Sequence, residues 1–364
     1  MATTETRVRQ RLISADSHVT ITDDRFLEHV PGRHLEAAKE VIAQAQARMA
    51  ASNMPNNRAE RNWPAQGRDG DHDQAERLKD QDIDGVEAEV LYSQSTFGFD
   101  GSLFYGIADR EARMACFRAY NDTLADWIKA APDRLIPVGV VPVMDVDDGV
   151  AELERLAGLG FRALTVPTYP DVHGFEPYWD PKYRPLLQAF AHHGIPLSLH
   201  TGATKGLQAI QQADPTPAKG IFQSLPPIHM AELISSWILG GMLPDNPDLH
   251  IVLVEAGIGW IAYYLERLDT MFRRHNWPNR GMIKELPSTF WYRQCHATFE
   301  DDKVGMRTLD LLGVGNVMWA SDYPHPDSTW PESQEVVAKH FEGLPDDDKQ
   351  RIVWRNAADL YHLG

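Results

Sequence analysis

Asp16 and His18 stand two residues apart in the segment LISADSHV. Side chains at i and i+2 of a strand share a face, so both can address one ion. His200 ends the apolar run PLSLH, and Asp322 closes another, VMWASD. Two imidazoles and two carboxylates make a mixed nitrogen and oxygen donor set. It suits zinc, manganese, iron or cobalt better than calcium or a soft copper site. Taken singly, an Asp-x-His pair reads as a polar strand end, and a lone histidine as a satisfied core residue. Their recurrence at the ends of separate apolar runs argues for a shared cation. Glu255 in VLVEAG and His296 in CHATFE mark two further runs. Glu255 reads either as a structural acid bonded to backbone or as a ligand or general base, since a carboxyl in a dry site can titrate near neutrality. His296 reads either as a second-site ligand or as a side chain turned outward to the helices, because alternate strand residues face opposite ways.

Such distant residues meet only if the elements carrying them converge. Eight short apolar runs recur, Leu12–Val19, Val86–Tyr92, Leu135–Pro142, Arg162–Thr168, Pro196–Gly202, His250–Gly257, Cys295–Glu300 and Val317–Tyr323. Helical patterns over 111–131, 146–159, 181–193, 230–240, 258–275, 304–312 and 332–341 alternate with the later runs, and a last one covers 346–363. Alternation of this kind predicts parallel pairing. Eight such units close into a (β/α)8 TIM barrel, with every strand's C-terminal end at one mouth, where barrel enzymes place their chemistry. The expectation is one barrel domain over 1–364, with residues 34–80 inserted after the first strand and partly covering the mouth. The first half of that insertion is rich in Ala, Glu and Gln; Pro55–Asp73 is polar and reads as a long loop. Tyr92, Tyr169 and His325 fall on loops at the same mouth and are expected to contact substrate.

With 35 basic against 52 acidic residues the net charge is −17. Such a surface repels nucleic acid and anionic membrane, which leaves a small molecule as the expected partner. The N-terminal segment MATTETRVRQR has no apolar core of a secretory signal, and the two cysteines imply no disulfide framework. A cytoplasmic enzyme is the expectation. The sequence contains no phosphate-binding GxxxxGK[ST] loop and no GxSxG nucleophile elbow.

The segments ISADSHV, YNDTLADWIKAAPDRLIPVGVVP, PLSLHTG, PDLHIVLVEAGIGWIAYYLERLD and VMWASDYPHPDSTWP resemble the amidohydrolase-related branch of the amidohydrolase superfamily, which includes the aminocarboxymuconate-semialdehyde decarboxylase type of enzyme. The resemblance implies a barrel holding a divalent metal (Zn, Mn or Fe) on Asp16, His18, His200 and Asp322. Relatives often carry another His or a Glu in place of Asp16, or a His at the position of Thr20, so the short Asp-x-His form leaves the ligand number open. Relatives also tend to carry a His where this chain has Glu255, and an aromatic or aliphatic residue where it has His296. The reaction implied is hydrolysis or nonoxidative decarboxylation of a small organic acid, with Asp322, Glu255 and His200 as the catalytic set. The alternative, motivated by Glu255 and His296, is an oxygenase with two ions, Fe/Fe or Fe/Mn. One ion would sit on Asp16, His18 and Asp322 and the other on His200, Glu255 and His296, about 3.5–4 Å apart. A homo- or hetero-oligomer is expected, and a noncatalytic partner subunit is a third possibility.

Overall fold

The computed structural model describes residues 10–364 except 52–63, 66, 95–96, 203–219, 222–223 and 282. Much of the polar half of the expected insertion therefore lies outside the described residues.

Eight strands form one sheet in sequence order: β1 (Ile13–Val19), β2 (Ala88–Ser93), β3 (Leu135–Val140), β4 (Ala163–Thr165), β5 (Leu197–His200), β6 (Ile251–Val254), β7 (Cys295–Phe299) and β8 (Val317–Trp319). Each neighbouring pair from β1 to β8 is parallel. The seam between β1 and the chain leaving β8 is closed by backbone hydrogen bonds. Asp322 N donates to Asp16 O at 3.0 Å, and His18 N donates to Tyr323 O at 2.6 Å. The chain is thus a (β/α)8 barrel, and three of its four expected metal ligands lie on the closing seam.

Both faces of these strands are covered, which is why they read as continuous apolar runs. Leu197, Leu199, Leu253, Phe299 and Trp319 face the outer helices. Ile13, Ala15, Val90, Val138, Val252, Val254 and Met318 fill the lumen. The C-terminal helical segment seals the lower end, where Ala357, Ala358 and Tyr361 join the lumen cluster and Asn356 Nδ2 donates to Val314 O and Val317 O.

Helices occupy the expected intervals, among them Arg110–Trp127, Val146–Gly158, Arg184–His193, Pro226–Leu239 and Ile261–Arg274. Two expected helices are broken. Residues 304–312 hold two short turns, Lys303–Met306 and Leu309–Leu312, separated where Thr308 Oγ1 bonds back to Val304 O and Gly305 O. The last helix is interrupted by a π-helical turn over Arg351–Arg355. Within 34–80 the structure has a helix over Leu35–Ala51 and the start of another over Gln74–Asp84.

Candidate active site

The seam carries a β-bulge. Ser14 pairs with Glu89 and Ser17 with Leu91, so β1 holds one more residue than its partner between those positions. The extra residue resets the alternation of faces. Ala15 fills the lumen, and Ser14 and Ser17, three apart, meet on the outer side with their hydroxyls 3.0 Å from each other. Strict alternation from Ala15 would have turned Asp16 outward. The bulge instead brings Asp16 Oδ1 to 3.6 Å from His18 Nε2.

The helix over Gln74–Asp84 buttresses this strand. Arg77, fully buried, donates through Nε to Glu89 at 2.6 Å and through Nη1 to the carbonyls of His18 and Gly70. Asp322 and Glu255, each just past its strand, take left-handed backbone angles, φ 52° and 53°. Non-glycine residues pay a conformational cost there, and such outliers cluster at functional sites. Glu255 N is held by Thr298 Oγ1 at 2.8 Å. The turn that follows is pinned by Asp302, which accepts from Ile258 N and Gly259 N. A Cβ on Gly259 would sit 2.8 Å from Asp302 Oδ1, so that close approach requires glycine.

The four expected ligands converge. Potential ligand atoms of Asp16, His18 and His200 lie within 4.8 Å of one another, as do those of His18, Asp322 and His325. His18 Nε2 is 3.2 Å from Asp322 Oδ1, and His200 Nε2 is 3.9 Å from Asp16 Oδ1 and 3.7 Å from Glu255 Oε2. The carbonyl of Ser93 faces His18 Nδ1, and that of Thr201 faces His200 Nδ1. A carbonyl only accepts, so each Nδ1 carries the proton and each Nε2 presents its lone pair to the cluster. Among the described residues, both oxygens of Asp16, both Nε2 atoms and Asp322 Oδ2 are buried without a hydrogen-bond partner. Unsatisfied buried groups of this kind are costly, and a divalent cation among them would satisfy all. The donor set therefore fits a metal on Asp16, His18, His200 and Asp322.

Electrostatics agree. Burial, then the neighbouring charges of Asp322, Glu255 and Glu300, hold the Asp16 carboxyl well above its ordinary value. Burial and the same crowding raise Glu255, and they raise Glu300 to about 8. Burial lowers His18 to about 4 and His200 to about 3, so both stay neutral, as ligands must. Asp322 is the exception. Burial would raise it, but His325 and His18 outweigh burial and drive it below the carboxylate range. His325 is raised to about 9, burial being overcome by Asp322. His325 Nδ1 meets Asp322 Oδ1 at 2.9 Å, and its Nε2 meets Gln94 Oε1 at 3.1 Å.

The remaining expectations divide. His296 is a correction. It faces the lumen, as its alternation with the outward Ala297 and Phe299 requires, but it is the second residue of β7 and sits near the lower end. Four residues of strand, roughly 13 Å, separate it from the mouth. There its Nε2 meets His250 Nδ1 at 3.1 Å. The set His200, Glu255 and His296 is not brought together, and the two-ion oxygenase loses the geometry that motivated it. Tyr92 is also corrected. It is fully buried in the lumen, its hydroxyl donating to Ser198 Oγ, with its ring 5.5 Å from that of His200. It backs the ligand rings from the barrel interior. Tyr169 donates to His229 O and lines a side cavity none of whose lining residues is an expected ligand. Two residues that no sequence pattern marks join the site. Glu300 is the residue of the β7 run that does reach the mouth. Phe99 stacks on His200, with ring centroids 4.2 Å apart and planes 17° apart.

Comparison with known proteins fits this arrangement. The chain is 24% identical over 309 residues to the gamma-resorcylate decarboxylase of Rhizobium sp. (strain MTP-10005), covering 79% of this chain and 86% of that protein. It is 20% identical over 250 residues to 2-amino-3-carboxymuconate-6-semialdehyde decarboxylase of Dictyostelium discoideum, covering 67% and 65%. A solved 5-carboxyvanillate decarboxylase from Novosphingobium aromaticivorans, complexed with manganese and 4-hydroxy-3-methoxy-5-nitrobenzoic acid, superposes with a TM-score of 0.70 at 20% identity, over 97% of this chain and 96% of that one. Among the described residues no helix is long and apolar enough to cross a membrane. The model of the amidohydrolase family matches residues 16–363, essentially the whole barrel, and the chain belongs to that family, in the branch that includes these decarboxylases.

Proposed function

We propose that this chain is a divalent-metal enzyme that removes carbon dioxide from a small organic acid without an oxidant. The observation that carries the reading is the half-buried carboxyl of Glu255, 3.7 Å from His200 at the edge of a donor set that fits a metal, where burial and neighbouring carboxylates favour its acid form. Asp16, His18, His200 and Asp322 would hold the ion. When bound, the ion supplies a Lewis acid for a substrate oxygen. The chain's own groups do the rest. Glu255, with its side chain 29% exposed, can reach a substrate at the mouth and keep a proton ready for it. As the carbon–carboxylate bond breaks, its electron pair stays on the substrate carbon. The Glu255 proton satisfies that carbon, and carbon dioxide leaves. His325, held between Asp322 and Gln94, orients the Asp322 carboxylate. Phe99 excludes water from the His200 side and offers a flat face to an unsaturated substrate.

A second reading, hydrolysis, is favoured by one feature. The charged groups that act most strongly on Glu255 are Asp322, His325, Glu300 and Asp327, with no lysine or arginine among them. A carboxylate-rich wall suits an uncharged ester, lactone or amide better than an acid.

Manganese-loaded protein should be incubated with hydroxybenzoates and, separately, with neutral esters and lactones. Release of carbon dioxide with loss of the acid is the expected result. Acid release from neutral substrates with no carbon dioxide from any acid would replace the first reading with the second. Glu255→Gln is expected to lower turnover by roughly 10²–10⁴-fold while leaving metal content unchanged.

A further inference from the structure

The expected ligand Asp322 sits between two anchored neighbours. On one side Ser321 is tied to β1, its N–H donating to Ser14 Oγ at 2.7 Å and its hydroxyl lying 3.1 Å from that of Ser17. On the other side Tyr323 is buried, and its carbonyl accepts from the N–H of a second expected ligand, His18, at 2.6 Å. One tyrosine therefore adjoins two of the four ligands through the main chain.

The side chain of Tyr323 is held by the helix over Gln74–Asp84. Its hydroxyl donates to Asp80 Oδ2, and the Arg77 guanidinium lies over its ring, 4.4 Å from the centroid. Arg77 and Asp80 stand three residues apart, on one face of that helix. Arg68 also donates to Asp80, at 3.2 Å through Nε, and Trp330 Nε1 donates to the Asp80 carbonyl at 3.1 Å. Gly70 packs against the contact itself. A Cβ there would lie 2.5 Å from Asp80 Oδ2 and 2.7 Å from the Tyr323 hydroxyl, so the bond needs a glycine beside it.

Asp322 adopts φ 52°, a conformation costly for a residue with a Cβ. Such backbone persists only where its surroundings over-determine it. A hydroxyl bonded to a carboxylate, on a ring that also carries a cation, supplies that constraint from outside the donor set. We propose that Tyr323 is a positioning residue: through its bond to Asp80 it holds Asp322 and His18 in the arrangement that receives the metal. The inference rests on the metal reading above.

The test is the manganese affinity of the full-length protein, read from the electron paramagnetic resonance signal of the free aqua ion. Tyr323→Phe keeps the ring and removes only the hydroxyl. It should weaken manganese binding about tenfold, as loss of a partner outside the ligand set does, with the circular dichroism spectrum unchanged. Asp80→Ala should weaken it by a similar factor, and Asp80→Asn, which keeps an acceptor oxygen, by less. Tyr323→Phe combined with Asp80→Ala should bind no more weakly than Asp80→Ala alone, because both remove the same bond. A tyrosine that served only stability would lower Tm and leave the affinity of the folded protein where it was. Unchanged affinity in Tyr323→Phe, or factors that multiply in the double variant, would overturn the proposal while leaving the metal reading intact. No manganese binding by the unaltered protein would overturn both.

Discussion

Glu255, Glu300 and Asp16 share one predicament. A buried carboxyl, Asp16, and two half-buried ones crowd the mouth, and each retains its proton more strongly than in water. For Asp16, the ligand among them, an arriving divalent cation reverses that balance, because it favours the ionised form. Metal loading at pH 7 is therefore predicted to release protons. Titration calorimetry in buffers of different ionisation enthalpy reads the number directly, and a buffer-independent heat would contradict the crowding. The same scale explains what the sequence showed of the site. Asp16, His18, His200 and Asp322 were legible because each closes an apolar run, and in a parallel barrel the end of a run is the mouth. His296 misled because a run's end depends on register as well as on composition. In CHATFE the residue at the mouth is the last, Glu300, while His296 points down the lumen to His250. Phe99 was not legible at all, since a single loop aromatic has no periodicity to announce it.

Elements position these groups through polar contacts as much as through apolar ones. Arg77 is the clearest case. It joins the helix over Gln74–Asp84 to β2 through Glu89 and to β1 through the His18 carbonyl, with no exposure of its own. Arg77→Leu leaves the Glu89 charge without its guanidinium in the interior and is predicted to cost about 3–5 kcal/mol in urea unfolding. The His250–His296 pair sets a different condition at the lower end. Burial pushes His296 down to about 3, and burial also lowers His250. Each resists protonation more when folded than when unfolded, where a histidine takes a proton near pH 6.5. Their contribution is thus fully present above pH 6.5 and lost as the pH falls from there toward 3. His296→Leu should flatten the decline of Tm across that interval, and an unchanged slope would show that other groups govern it. Eight strands, their order and most helices followed from alternating runs. The bulge at Ala15–Asp16 did not, because an extra residue in one strand shows only against its partner's register. Nor did the break at Thr308, which arises from a hydroxyl competing for helix carbonyls.

At the scale of the whole molecule, a barrel draws its seam closed with residues that would rather be hydrated or bound to a cation. Asp16, His18 and Asp322 lie on that seam. A metal that binds only the folded chain stabilises it by mass action, about 2.7 kcal/mol at a hundredfold excess over Kd. Chelation is predicted to lower Tm and readdition to restore it, with both effects absent in His200→Ala. That control is needed because the net charge of −17 will attract cations non-specifically. The most direct measurement is anomalous scattering from crystals of the manganese-loaded protein at the manganese edge. A strong peak enclosed by Asp16, His18, His200 and Asp322 is expected. A peak only at surface acids, or beside His250 and His296, or none among the four ligands at full loading, would contradict it.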